Sequence, residues 1–386
     1  MPDYRIIDRD DDLYAAVDVL CRQDRYGLDT EFHREQSYWP RVALVQIAWA
    51  DQIVLIDPLA VDLKPLKALM DSDALAVIHA AIQDLEVLEQ ACGAIPKRLF
   101  DTQIAAGFLG HPTPSLAFLH ERELGVPLAK GSRFTDWLER PLGAAQLDYA
   151  ASDVARLLEI HDRLASRLEA RERIPWAEAE FEVMRRRDRA PRDPDEAWSR
   201  IKEARHLKGR ALAVARAIAA WRERRAAELN QPVRFVLSDL AVASIAQAMP
   251  TNRKALTKIR GVDRGMANGR QGIEVLKRVQ EGLESGWRPP RSPKHNTDTR
   301  DYRPAVALAT AWTAQVARDN ELDPALLATR ADVEAFLRGD DNPRLAQGWR
   351  AQLVGDRIRS LVDGNASLAF DNDAVVLEER SGQPMG

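Results

Sequence analysis

The stretch Leu28-Asp29-Thr30-Glu31-Phe32 reads as an early strand of a sheet, yet it carries two acids where a strand should be apolar. Side chains alternate between the two faces of a strand, so Asp29 and Glu31 share one face and Leu28, Thr30 and Phe32 the other. Neighbouring carboxylates on one face repel, and burying them is costly unless a cation sits between them, for which a divalent metal is the usual choice. An exposed edge strand with solvated acids satisfies the same five residues. Further acids converging on the Asp29/Glu31 face would decide for the metal.

Working outward, Asp10 to Gln23 has the apolar stripe and acidic first turn of a helix. Val42 to Trp49 and Ile53 to Ile56 are apolar, β-branched runs separated by Ala50-Asp51-Gln52, a hairpin-like break. A short helix near Leu63 to Met70, a strand at Ala74 to His79 and a helix from Ile82 to Ala91 follow, which points to a mixed α/β layer fold. Asp84 lies in the first turn of that last helix, where an acid suits the dipole and where open α/β sheets place function. A further helix, from about Ala144 to Leu168, puts Tyr149 and Asp153 within about 40° of each other at the border of its apolar stripe. The count is then four acids, with a phenol beside the last.

Composition limits the alternatives. A chain of 386 residues with 45% hydrophobic residues predicts two or three domains with real cores. Two cysteines, Cys21 and Cys92, exclude a disulfide framework and a cysteine zinc site and suggest a reducing compartment. No stretch reads as a signal peptide, a membrane span or a lipidation motif, so a cytoplasmic location with no membrane partner is expected. The net charge of -4 hides a polarity: residues 1–171 carry 18 Lys+Arg against 28 Asp+Glu, residues 172–303 carry 29 against 18, and residues 304–386 carry 8 against 13. A basic middle between acidic flanks suits a polyanionic partner.

Leu28-Asp29-Thr30-Glu31-Phe32, Ile78-His79-Ala80 with Asp84-Leu85, and Tyr149-Ala150-Ala151-Ser152-Asp153 resemble the three motifs of the DEDDy 3′-5′ exonuclease superfamily in order and approximate spacing. Phe100-Asp101-Thr102-Gln103 and Phe134-Thr135-Asp136-Trp137-Leu138-Glu139-Arg140-Pro141-Leu142 narrow the resemblance to the bacterial ribonuclease D family. That resemblance implies a ribonuclease H-like mixed sheet flanked by helices. It also implies phosphodiester hydrolysis with two divalent ions, Mg²⁺ or Mn²⁺, held by Asp29, Glu31, Asp84 and Asp153. Tyr149 would orient the attacking water. Asp101 is expected as a helix cap, His79 as a satisfied core-edge histidine and Gln46 as a hydrogen-bonded sheet residue.

Past Leu168, the charged, proline-bearing run Arg185–Pro194 reads as a linker, and helical patterning resumes at Lys208. Ala220-Trp221 precedes Pro232 as Ala311-Trp312 precedes Pro324, with a further proline after each, Pro250 and Pro343, which points to a divergent internal duplication. The first copy resembles the HRDC domain, and the second is similar but weaker. The expected layout is an exonuclease domain over 1–170, a linker and connecting helix over 171–205 and a basic first helical domain over 206–286. A Pro/Arg linker over 287–302 and a second all-helical domain over 303–380 complete it. Phe32, Arg222, Arg225, Arg253, Lys254 and Lys258 are the candidate nucleic-acid contacts.

The resemblance implies a monomeric 3′-to-5′ exoribonuclease that releases nucleoside 5′-monophosphates from single-stranded 3′ ends, trimming structured RNA such as tRNA precursors. The same chemistry on DNA and an inactive RNA-binding scaffold are the alternatives. A helicase is excluded because no Gly-Lys dipeptide, and hence no Walker phosphate loop, occurs.

Overall fold

The computed structural model describes residues 3–128, 135–289 and 301–380. Phe134 and residues 290–300, most of the expected Pro/Arg linker, lie outside the described residues. Strand β2 (Arg25–His33) runs through the middle of a six-stranded mixed sheet with β1 (Arg5–Ile7), β3 (Arg41–Trp49), β4 (Gln52–Ile56), β5 (Leu75–Ile78) and β6 (Arg98–Asp101). The strand order is β1-β4-β3-β2-β5-β6. β3 and β4 form an antiparallel hairpin in which Val45 pairs with Ile56 and Trp49 with Gln52, closed by a two-residue turn with Ala50 at φ 47°. β2 with β5, β5 with β6 and β1 with β4 pair in parallel. Having neighbours on both sides, β2 is no edge strand, and Leu28 and Thr30 are buried on one of its faces.

Helices α1 (Asp10–Leu20), α2 (Leu66–Met70), α3 (Ile82–Cys92) and α4 (Thr102–Gly107) connect the strands. The region expected as one helix from Ala144 is two, Ala144–Ala155 and Leu157–Ala170, with Arg156 out of helical geometry between them at φ -122°. The break coincides with a close approach to the sheet. A Cβ on Gly27 would lie 3.2 Å from Leu157 Cβ, a tight contact that a larger residue could make only if Leu157 gave way by a few tenths of an ångström.

Contacts divide the chain into two units, Met1–Glu31 with Val42–Arg187 and Lys294–Gly386, and Phe32–Arg41 with Asp188–Pro293. Residues 303–380, expected as a separate helical domain, share the hydrophobic core of the first unit. Val306, Ala309, Val316 and Leu327 are buried in the same cluster as Leu44, Phe108 and Ala150. Trp349 stacks on Trp176 at 5.1 Å and meets Phe108 edge-on at 5.3 Å. Beside them Glu180, on the Ile174–Arg185 helix, accepts from Arg350 at 2.5 Å and from Arg344 at 3.2 Å. Both Glu180 and Arg350 are buried, so each charge depends on the other, and removing either would strand its partner away from water.

The two helical segments expected as copies follow one order of elements. In the first, a long helix Gly209–Leu229 leads to one turn at Val233–Val236 and a helix Asp239–Ala248 capped by Ser238. In the second, Arg303–Asp319 leads to Pro324–Leu327 and Arg330–Arg338 capped by Thr329. The second copy also ends in a feature outside the all-helical expectation, the hairpin β7 (Ala366–Asp371) and β8 (Ala374–Glu379). Asn372 and Asp373, at φ 44° and 69°, make its turn.

In the second unit the Gly209–Leu229 helix is the centre of the core, with Val214, Ile218 and Trp221 packed against Val242, Ile245 and Val279. The segment Phe32–Arg41 docks on this helix through Tyr38, whose hydroxyl donates to Glu223 at 3.1 Å, and Trp39, whose amide donates to Asn230 at 3.0 Å.

Candidate active site

The sheet and the Ala144–Ala155 helix bring Asp29, Glu31 and Asp153 together, each offering a carboxylate oxygen within 4.8 Å of the others. The two strand acids come from the shared face of β2. Asp153 comes from the helix packed over it, held down by Ala150, Ala151 and Val154, all fully buried. Tyr149, one turn back on that helix, is half-buried and hydrogen-bonded to Asp153.

Asp84 stands outside this trio. Its Oδ1 accepts from the Thr30 hydroxyl at 2.6 Å, while its charge acts on Glu31 and the Asp29 charge acts on it. The strand-to-helix turn that presents Asp84 is tightly built. Ala80 sits at φ 58°, a left-handed conformation that costs energy in any residue but glycine. Asp101 holds it there, its wholly buried carboxylate accepting from the Ala81 amide at 2.8 Å and capping α4 through the Gln103 and Ile104 amides. The expected cap therefore also clamps the turn that carries Asp84.

The electrostatics follow from crowding. Burial, then the charges of Asp29, Asp153 and Asp84, push the Glu31 carboxyl up to about 8. Burial and the Asp29 charge push Asp153 to about 8 against the pull of the Tyr149 hydrogen bond. Burial pushes Asp29 to about 6 and, with the Asp29 charge, holds Asp84 well above the carboxylate range. The Tyr149 phenol is raised by burial and by Asp153 and Glu31, so it stays protonated at neutral pH. Such acids cannot all ionise unaided, and a cation among them reverses that balance. The donors are all carboxylate oxygens, which suits a hard divalent ion and not a thiolate-seeking one.

His79 is satisfied, as expected: its Nδ1 meets the Thr102 hydroxyl at 2.9 Å and its ring also bonds the Pro114 backbone, and burial lowers it to about 4. Gln46 departs from expectation. It is fully buried in β3, and neither amide atom has a hydrogen-bond partner among the described residues. Two features escaped the sequence reading. Thr30 escaped because a threonine on the packed face of a strand is unremarkable, and the Arg140–Asp57 pair because its members are 83 positions apart.

The candidate nucleic-acid contacts separate by exposure. Arg253, Lys254 and Lys258 are exposed on and after the Arg253–Leu256 turn. Arg222 is not a surface residue: it is 3% exposed, and its Nη1 donates to the Leu237 carbonyl at 2.9 Å and to Asp239 at 2.6 Å. It lies on the inward face of its helix, where a cation persists only if paired, so it ties that helix to the start of the next. Arg225 pairs with Glu228 at 3.1 Å and lines a cleft with Arg224, Arg270 and Arg278. Phe32 is half-buried, with the Arg34 guanidinium 5.8 Å from its ring centre.

Known proteins share this architecture. A 3′-5′ exonuclease family model matches residues 4–169, and an HRDC domain model matches residues 211–279. The chain is 37% identical to the ribonuclease D of Gluconacetobacter diazotrophicus over 97% of its own length and 96% of that protein's. Identity to the ribonuclease D of Bartonella henselae is 34% over 96% and 93% of the two chains. Among solved structures, Escherichia coli RNase D, described as an exoribonuclease involved in structured RNA processing, superposes with a TM-score of 0.83 at 31% identity, over 94% of this chain and 99% of that one. The catalytic core of RRP6 from Trypanosoma brucei gives 0.59 at 28% identity, over 74% and 81% of the chains.

Proposed function

The chain belongs to the ribonuclease D family and is a 3′-5′ exoribonuclease, and from that premise we propose that Asp29, Glu31, Asp84 and Asp153 are its metal ligands and Tyr149 its water-orienting group. The observation that carries this is the convergence of Asp29, Glu31 and Asp153 within 4.8 Å, with Asp84 near enough to act on Glu31 and to feel the Asp29 charge. Two divalent ions, Mg²⁺ or Mn²⁺, would supply charge neutralisation at the attacked phosphate and an acidified water.

The residues of the chain do the rest. Asp29 would lie at the centre of the set that holds the ions, because its charge acts on each of the other three acids. Asp84, whose carboxylate accepts from the Thr30 hydroxyl at 2.6 Å, would complete the set of residues that hold the ions. The Tyr149 hydroxyl donates a hydrogen bond to Asp153, which leaves its oxygen lone pairs to accept one from the attacking water and aim it at phosphorus. Attack breaks the bond from phosphorus to the 3′ oxygen, releasing a nucleoside 5′-monophosphate and a shortened chain with a free 3′ hydroxyl.

The substrate is RNA. We take it further to be a single-stranded 3′ end on a structured molecule such as a tRNA precursor, handled by a monomer in the cytoplasm. The free thiols Cys21 and Cys92 fit a reducing compartment, and no helix among the described residues is long and apolar enough to cross a membrane. Matched 3′-tailed RNA and DNA duplexes, incubated with enzyme and Mg²⁺, test the reading. RNA tails should shorten to 5′-monophosphates and DNA tails persist, and equal rates on both would reject the RNA preference.

A further inference from the structure

We propose that Arg140, clamped by Asp57, is a positioning residue for the reaction, holding the loop whose Trp137 walls Tyr149. The Arg140 guanidinium makes five hydrogen bonds. Nε donates to Asp57 Oδ2 at 2.6 Å and Nη2 to Asp57 Oδ1 at 2.7 Å, a two-pronged pair no lysine can copy. Nη2 also donates to the Ala43 carbonyl at 2.7 Å, and Nη1 to the Trp137 and Glu139 carbonyls, each at 2.8 Å.

The Ala43 bond has a reason in the sheet. The β3–β4 register ends with Val45 opposite Ile56. Continued two residues further, it would set Pro58 opposite Ala43, and proline has no N–H to give. Arg140 supplies the missing donor where β4 leaves the sheet, and it anchors its own loop in doing so.

That loop reaches the site. The Trp137 ring lies 6.2 Å from the Tyr149 ring at 34°, and Trp137 packs against the main core. Tyr149 is half-buried, so without this wall its phenol would gain freedom to leave Asp153. A water-orienting group that swings loses rate even when substrate still binds. The chain of contact runs Asp57, Arg140, Trp137, Tyr149.

This inference rests on the role given to Tyr149 above, and a double-mutant cycle separates the two. With saturating Mg²⁺ and a single-stranded RNA, kcat and KM are measured for Arg140→Ala, Tyr149→Phe and the double variant, and again with Arg140→Lys, which keeps the charge and surrenders the fork. We expect Arg140→Ala and Arg140→Lys to lower kcat tenfold or more with KM within about twofold, and the double variant to be little slower than Tyr149→Phe alone. If Tyr149→Phe is impaired but the Arg140 effect multiplies with it in full, the link through Tyr149 is wrong. Should Tyr149→Phe keep its rate, the role of Tyr149 fails and this inference with it. Wild-type kcat in a folded Arg140→Lys would overturn the clamp, and so would a loss confined to its melting temperature.

Discussion

At the scale of single residues, the site pits desolvation against charge. Glu31 and Asp153 are pushed to about 8, so the metal-free folded protein holds protons there that the unfolded chain releases near pH 4. Where the folded state binds more protons, stability falls as pH rises. Melting temperature measured in chelator should therefore decline between about pH 4 and pH 8, and Mn²⁺ should abolish the decline. A flat profile in chelator would mean that the acids are not crowded. At a hundred times its dissociation constant, the ion adds about 2.7 kcal/mol. Asp29→Asn or Asp84→Ala should remove RNA degradation while the fold survives. Tyr149→Phe should lower kcat by about 10²-fold with metal affinity little changed, as suits a group that acts on water and not on the ion.

Helices and strands show what was legible in the chain and what was not. The acid strand was readable because two carboxylates on one face contradict the apolar alternation around them. Asp84 and Tyr149/Asp153 were readable as helix positions, and the hairpin at Ala50-Asp51 as a break between β-branched runs. The three-residue β1 is too short to leave a pattern. The helix break at Arg156 has no proline or glycine to announce it, and the close packing of Leu157 on Gly27 beside it joins positions far apart in sequence. Arg222 misled for a related reason: basic residues on a helix look alike until the buried face is known. Replacing it by alanine should cost about 1–3 kcal/mol in denaturant unfolding and leave RNA affinity per folded molecule unchanged. Reversing the exposed Arg253 and Lys254 to glutamate should do the opposite. Stability should hold, RNA affinity should fall, and the salt dependence should flatten by about 0.7 per lost phosphate contact on a single strand.

For the molecule as a whole, the two C-terminal helical segments are used in two different ways. One builds its own core around the Gly209–Leu229 helix, whereas the other completes the core of the sheet unit through Trp349, Leu327 and the Glu180–Arg350 pair. The charge count separated them in the sequence, basic against acidic, which favoured substrate contact for the first and packing or bracing for the second. Glu180→Ala should cost about 3–5 kcal/mol in unfolding experiments by stranding a buried guanidinium. Ending the chain before Arg303 should yield an aggregating exonuclease unit, since Phe108 and Trp176 lose their cover.

The most direct test is anomalous diffraction from crystals soaked in Mn²⁺ and a nucleoside 5′-monophosphate. Two peaks about 4 Å apart are expected among Asp29, Glu31, Asp84 and Asp153, with the phosphate between them and Tyr149. Saturating Mn²⁺ that leaves these four carboxylates without a peak, in an enzyme that still degrades RNA, would contradict the site.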